Sequence, residues 1–382
     1  MTVRAPSIRS IAIIGAGIVG LSCALELADR GVRVTLYDKQ WPPRGASRAA
    51  AGMLAPAFEA IGAADHHPNL FEFCDTSAGL WPDWADRLEK RAQMPSGYHS
   101  GPTLAVAFTE AEVEKLKAVR ATLSNHPLAP KACLADLHAI EQTVAGHVLA
   151  ALLLPSDGQV DNRRTMDALV CCVEQHELIK IETESAPLKW SAGGLDHAGH
   201  QATLVTAGWQ SGAVMVQRNS ALVDIRELEP VLGDVQPIGG QMLAVEAIEN
   251  GPRSTIRAGH LYIVPKSDRI IIGATSEPGR VLDQPKSEQI AELRARAIEI
   301  CPVLAQANIL ESWAGVRPGL PNHAPLLGET RVENLFVASG HYRNGILLAP
   351  ITAQIMGDLI VDGRRDALAT KFAPGAELTE QV

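Results

Sequence analysis

The sequence predicts an α/β protein in which a nucleotide-binding domain is joined to a second, α+β domain built on a mostly antiparallel sheet. Three observations carry that expectation. The run Ile11-Ala12-Ile13-Ile14 leads straight into Gly15-Ala16-Gly17-Ile18-Val19-Gly20 and then into apolar residues at helical spacing from Leu21 to Arg30. Between Gly239 and Ser276 the periodicity changes from helical to alternating. Near the other end a short apolar strand, Leu335 to Ser339, runs into Gly340-His341-Tyr342-Arg343-Asn344-Gly345-Ile346-Leu347-Leu348-Ala349-Pro350, which returns the chain to the first domain.

The N-terminal run reads as strand, turn and helix in the Rossmann manner. Gly15 permits the tight turn, Gly17 lets a pyrophosphate approach the backbone, and Gly20 permits close helix packing, with free N–H groups at the helix start facing the anion. A second strand, Val32 to Tyr37, ends in Asp38, roughly 20 residues beyond the loop, where a carboxylate accepts from a ribose diol and repels a 2′-phosphate. NAD and FAD share this fingerprint. A nicotinamide domain would continue in regular strand–helix alternation, whereas Arg44-Gly45-Ala46-Ser47-Arg48-Ala49-Ala50-Ala51-Gly52-Met53 is a small-residue stretch that lets a flat ring near the backbone. Taken alone, the same stretch reads equally as an alanine-rich helix start.

Composition bounds the rest. With 382 residues, 46% of them hydrophobic, the chain buries a large core and its length suits two or three domains. A net charge of −9 leaves no basic footprint for nucleic acid or an anionic membrane. Cys23, Cys74, Cys133, Cys171, Cys172 and Cys301 show no CxxC spacing and read as buried thiols of a reducing compartment. Asp65, His66 and His67 lack metal-ligand spacing and read as a surface loop, so no metal is expected. No signal-peptide pattern follows the first apolar run, so a cytoplasmic protein is expected. Ile346 to Val361 is too short and polar to span a bilayer and reads as a buried helix with Pro350 in its first turn.

Helical patterns run from Asn69 to Met94, Thr109 to Ser124 and Asn162 to Glu177, with Asn162 placed to cap the last. Gln201 to Ser211 reads as a strand returning to the first domain, with Gly208 a point of close backbone approach or a plain strand-to-helix turn. Gly259 to Pro265 and Arg269 to Thr275 form a hairpin through Lys266-Ser267-Asp268, whose period of two puts His260, Tyr262 and Val264 on one face. A helix from Ser287 to Ile300 precedes a strand, Ile309 to Val316, that runs into Arg317-Pro318-Gly319.

Gly15 to Gly20, the segment Ala46 to Pro56, His260 to Pro265, Trp313 to Gly319 and Gly340 to Pro350 together resemble the D-amino-acid oxidase superfamily of FAD-dependent oxidoreductases, and within it the glycine oxidase family of thiazole (thiamine) biosynthesis. The resemblance covers nearly the whole chain. It implies a GR2-type FAD-binding domain over 1–88, 149–220 and 324–382, and a substrate-binding domain over 89–148 and 221–323. It also implies non-covalent FAD, since no cysteine follows Cys301. The cofactor would lie along Gly15, Gly17, Ile18, Val19, Gly20, Asp38, Lys39, Ala46, Ser47, Ala51, Gly52, Met53, Pro187 and Gly208, with its ring edge facing His341, Tyr342, Arg343, Asn344, Gly345, Ile346 and Leu347.

Arg317 matches the position that pairs with the substrate carboxylate, a task suited to a planar guanidinium; its alternative reading is a structural ion pair. Arg343, Tyr262 and His260 match positions near substrate and flavin. The implied reaction oxidises a small amino acid by hydride transfer from Cα to flavin N5, with imine hydrolysis to an oxoacid and ammonia and reoxidation by oxygen. Asn162, where many relatives carry proline after an acidic residue, reads as a cap variation without chemical effect. Two alternatives stay open: a dehydrogenase of a D-amino acid, sarcosine or proline derivative that uses another acceptor, and a nucleotide-binding protein without turnover. Homo-oligomers are common among such relatives.

Overall fold

The computed structural model describes residues 8–60 and 67–376. A six-stranded sheet has the order Leu326–Glu329, Leu335–Ser339, Ala202–Val205, Ser10–Ile14, Arg33–Tyr37 and Ile179–Glu182. All neighbours are parallel except the first pair. Parallel strands are covered on both faces, which is why Ile11, Ala12 and Ile13 are wholly buried without alternation.

One face packs on the helices Ile18–Asp29, Leu70–Ala92, Asn162–Glu174 and Ala349–Asp362, through a core holding Leu21, Leu27, Trp81, Leu169 and Met356. The other face is covered by a small sheet of Lys189–Ser191, Gly194–Asp196, Met215–Arg218 and Ala221–Asp224, closed over Val205, Val216, Ile225 and Val337. Its strands of three or four residues are too short to show a period and are not legible from the sequence.

The second sheet is larger and mostly antiparallel. Its order is Glu277–Pro278, Gln236–Glu246, Arg269–Gly273, Leu261–Pro265, Thr255–Ala258, Thr103–Ala107, Ala150–Leu154 and Lys131–Ala132, with Ile309–Gly319 also paired to Gln236–Glu246. The helix Ser287–Ile300 covers one face, burying Leu293, Ala297 and Ile300 against Leu243, Ile263 and Ile272. The opposite face is left for the cavity described below.

The expected hairpin is present, with Pro265 opposite Ile270 and the Lys266 N–H donating to the Arg269 carbonyl at 2.7 Å. The strand expected to stop at Val316 continues in register to Gly319, because Pro237 lies opposite Pro318 and neither needs to donate across the ladder. The late helix begins at Ala349 with Pro350 in its first turn, three residues after the expected start at Ile346.

Two expectations are corrected. Asp161, not Asn162, caps the helix Asn162–Glu174, its carboxylate accepting from the Arg163 and Arg164 N–H groups at 3.1 and 3.2 Å. His67 is buried, with Nε2 3.1 Å from the Lys371 carbonyl and its ring against Phe372, whereas Asp65 and His66 lie outside the described residues. No helix among the described residues is long and apolar enough to cross a membrane.

The parallel strands end together, so the loops after Ile14, Tyr37, Val205 and Ser339 meet at one edge, at the point where the strand order reverses. Open parallel sheets bind ligands there. Gly20 makes the first of these loops possible, since a Cβ on it would lie 1.9 Å from the Gly15 carbonyl oxygen. Gly20→Ala is therefore expected to lower stability by about 1–3 kcal/mol in urea unfolding of the purified protein, while Gly146→Ala, where an added Cβ meets nothing within 4 Å, changes it less.

Candidate active site

A cavity of about 960 Å³ opens between the carboxyl edge of the first sheet and the uncovered face of the second. At one end it is walled by Gly15, Gly17, Ile18, Val19, Asp38 and Lys39. The Asp38 carboxylate accepts from the Ala16 N–H at 2.8 Å and the Gln40 N–H at 2.9 Å, so it braces the glycine loop while facing the cavity. The Ile18 N–H, expected to be free for an anion, donates to Ser47 Oγ at 2.9 Å. The hydroxyl proton of Ser47 is left to take over that donor role.

In the middle the wall is Ala46, Ser47, Ala51, Gly52, Met53 and Gly208. Ala46–Ala49 is a single helical turn, after which the backbone extends. Asn162 Nδ2 holds it by donating to the Ser47 and Arg48 carbonyls at 2.9 and 3.0 Å, and Trp313 Nε1 donates to the Ala49 carbonyl at 2.9 Å. Asn162 therefore shapes the cavity wall, where the sequence suggested a neutral cap variation.

The far end is cationic. Arg317 and Tyr262 reach across the second sheet over two glycines: a Cβ on Gly240 would lie 2.3 Å from Arg317 Nη1, and one on Gly273 would lie 2.7 Å from the Tyr262 hydroxyl. Arg317 Nη1 donates to the Thr275 carbonyl at 3.2 Å, and among the described residues no carboxylate pairs with it. The structural ion pair is thereby excluded among those residues. Tyr262 donates to Met242 Sδ at 3.0 Å, and burial raises its pKa despite the opposing Arg317, so the phenol stays neutral.

Arg343 is anchored differently, by Nε and Nη2 on Glu59 Oε1 at 2.8 and 2.6 Å. Behind Glu59 lies Asp157, fully buried, accepting from the Ala57 N–H at 3.1 Å and pushed up to about 7 by burial. Arg257 also faces the cavity, its guanidinium 3.9 Å above the Phe58 ring and pulled down to about 10 by burial and by Arg343. His260 lines the same end. His341 is buried and brought down to about 3, hence neutral, with Nε2 3.1 Å from Thr352 Oγ1. The Tyr342 N–H donates to the Pro318 carbonyl at 2.7 Å, tying the last turn to the strand of Arg317.

The structure thus gathers most of the residues singled out from the sequence, and leaves four outside the wall. Gly20 is under the loop, where it serves helix packing. Pro187 is exposed to solvent, and Glu184, Ser185 and Ala186 form that rim instead. Asn344 and Leu347 point into the protein. Leu347 is buried, and its carbonyl accepts from Ser77 Oγ and Trp81 Nε1 at 2.6 and 2.9 Å, while Gly345 and Ile346 line the cavity. Sequence reasoning missed Arg257, Glu59 and Asp157. Arg257 does share the period-two pattern of an apolar strand, and a charged residue there was the available signal.

The model of the FAD dependent oxidoreductase (DAO) family matches residues 10–359. The chain belongs to this FAD dependent oxidoreductase family. Its cofactor is accordingly FAD, and the cavity fits a dinucleotide: a glycine loop beneath one end, a carboxylate at the end of the second strand, and small residues along the middle. A glycine oxidase of Geobacillus kaustophilus is 32% identical over 378 residues, covering 95% of each chain. The crystal structure of glycine oxidase from that organism superposes with a TM-score of 0.82 at 28% identity, covering 95% of this chain and 97% of the other. The bifunctional protein ThiO/ThiG of Trichormus variabilis is 33% identical over 95% of this chain, which spans 54% of that relative's length.

Asp157 binds a proton more readily folded than unfolded, so its ionisation costs stability increasingly as pH rises from about 4 toward about 7. Asp157→Asn is expected to leave stability near pH 4 unchanged and to raise it by at least about 1 kcal/mol above pH 7, read as denaturant midpoints across that range.

Proposed function

We propose that this FAD-dependent oxidoreductase oxidatively deaminates glycine and similar small amino acids to an oxoacid and ammonia, with oxygen as the final acceptor, in thiamine biosynthesis. The observation that carries the reading is Arg317. Its guanidinium faces the cavity, held by backbone carbonyls with no carboxylate partner among the described residues, and so retains donors for a carboxylate. The glycine oxidases and the ThiO/ThiG protein among its relatives support the same substrate class.

When bound, FAD supplies the two-electron acceptor for a hydride from the substrate α-carbon. The chain's own residues do the positioning. Arg317 takes the carboxylate in a two-point grip that fixes the direction of the α-carbon, the kind of alignment that makes small displacements costly in rate. Tyr262, neutral and adjacent, turns its hydroxyl from Met242 Sδ to the same carboxylate. Among the described residues lining this end no carboxylate faces the cavity beside Arg317, so no protein base is assigned; the substrate amine enters unprotonated and its lone pair assists loss of the hydride. Glu59 holds Arg343 at the opposite wall, next to the turn of Gly345 and Ile346. Gly15, Gly17, Asp38 and Ser47 hold the pyrophosphate and ribose, and Ala51, Gly52 and Met53 admit the ring. The working form is a cytoplasmic protein, either free or self-associated.

Anaerobic addition of glycine to the yellow protein is expected to bleach the flavin, and admission of air to return the colour with stoichiometric peroxide; a flavin untouched by any small amino acid sinks the reading. In Arg317→Ala the KM for glycine is expected to rise by at least tenfold, since a charge-assisted hydrogen bond contributes about 1.5–3 kcal/mol, with FAD still bound. Asp38→Ala is expected to raise the Kd for FAD, measured by fluorescence quenching of the apoprotein, more than it raises the KM for glycine at saturating FAD.

A further inference from the structure

Glycine offers one anionic group, yet the substrate end of the cavity presents two guanidiniums that form no ion pair with a carboxylate among the described residues. Arg317 is one. The second is Arg257, on the strand Thr255–Ala258, directly opposite Tyr262 in the antiparallel register. Among the described residues no hydrogen bond or ion pair to the Arg257 guanidinium is found, and it lies 3.9 Å from the centre of the Phe58 ring. Stacking on a ring uses the flat face of a guanidinium and leaves its in-plane N–H edge open.

The surrounding charges do not cancel it. Asp157 and Glu59 both favour the cation at Arg257, but Glu59 is already engaged by Arg343, so three guanidiniums, of Arg257, Arg317 and Arg343, share two carboxylates. Burial and Arg343 both disfavour the cation at Arg257, and an anion held beside it relieves both. The Tyr262 phenol interacts with both Arg317 and Arg257, so the two cations share one neighbour.

We propose that Arg257 forms a second anion subsite, so that the chain takes short amino acids carrying a second carboxylate, the α-carboxylate on Arg317 and the other on Arg257. This rests on the amino-acid oxidase reading above and narrows its substrate class. A neutral side chain of the same shape leaves Arg257 unpaired and is discriminated against, as happens wherever a buried polar group loses its partner.

The test compares isosteres that differ only in that charge. Both enantiomers of aspartate and of asparagine are assayed beside glycine, with wild-type holoenzyme and with Arg257→Met and Arg257→Lys. Wild type is expected to favour the active enantiomer of aspartate over its asparagine counterpart by at least tenfold in kcat/KM. The ratio is expected to fall toward one in Arg257→Met and to be partly restored in Arg257→Lys. Calorimetric binding of succinate against succinamate to the wild-type holoenzyme reads the same preference without turnover, again at tenfold or more.

Oxidation of glycine with equal treatment of aspartate and asparagine, or a ratio untouched by Arg257→Met, overturns the second subsite and leaves the glycine reading standing. Absence of turnover with every amino acid sinks the oxidase reading, and the succinate preference then still decides the subsite. A loss of thermal stability in Arg257→Met with the aspartate ratio intact assigns Arg257 a purely structural part and overturns the proposal.

Discussion

A half-buried guanidinium without a counter-ion is costly, and Arg317 has none among the described residues. Desolvating a charge is tolerated when hydrogen-bond acceptors replace water, and here the acceptors are backbone carbonyls of the second sheet. Carbonyl dipoles soften the penalty without cancelling the charge, so the site keeps its appetite for an anion. The glycines at 240 and 273 serve the same end by clearing the sheet surface on which Arg317 and Tyr262 lie. A sheet with ordinary side chains at those positions would lift both groups off its face and into the cavity.

The cavity wall is assembled from segments far apart in the chain, and each junction is tied by side-chain hydrogen bonds. Asn162 and Trp313 fasten the turn Ala46–Ala49 from two sides. Ser77 and Trp81, on the long helix Leu70–Ala92, fasten the carbonyl of Leu347. Ser47 closes the helix start at Ile18. Asn162, Trp313, Ser77 and Trp81 need not touch a ligand to matter. Each fixes a stretch of main chain that has no regular partner, where small residues would otherwise leave many conformations open.

The strongly patterned parts of this architecture were legible in the sequence. Ser10–Ile14, the glycine loop and Asp38 follow from local geometry, and the hairpin around Lys266 and the helix Ser287–Ile300 follow from period. Arg317 was legible from its motif and from the suitability of its side chain. The small sheet covering the first domain was not, because strands of three residues carry no periodicity. Asn162 was misread because an Asn beside Asp at a helix start has two equivalent interpretations, and only tertiary placement shows Asp161 capping and Asn162 reaching across. Arg257, Glu59 and Asp157 were hidden for a similar reason: Glu59 and Asp157 lie on separate segments, and only folding makes them one cluster with Arg343. Asn344 and Leu347 show the reverse error, in which a turn was read as facing the ligand throughout although alternate residues are committed to the core.

The hydrogen bond from the Tyr342 amide to the Pro318 carbonyl has a mechanical consequence. It welds the peptide next to Arg317 to the hinge-like turn that precedes Arg343, although the two belong to different sheets. The main chain beside Arg317 and the turn before Arg343 therefore share one anchor at the rim of the cavity, and neither can shift without drawing on the other.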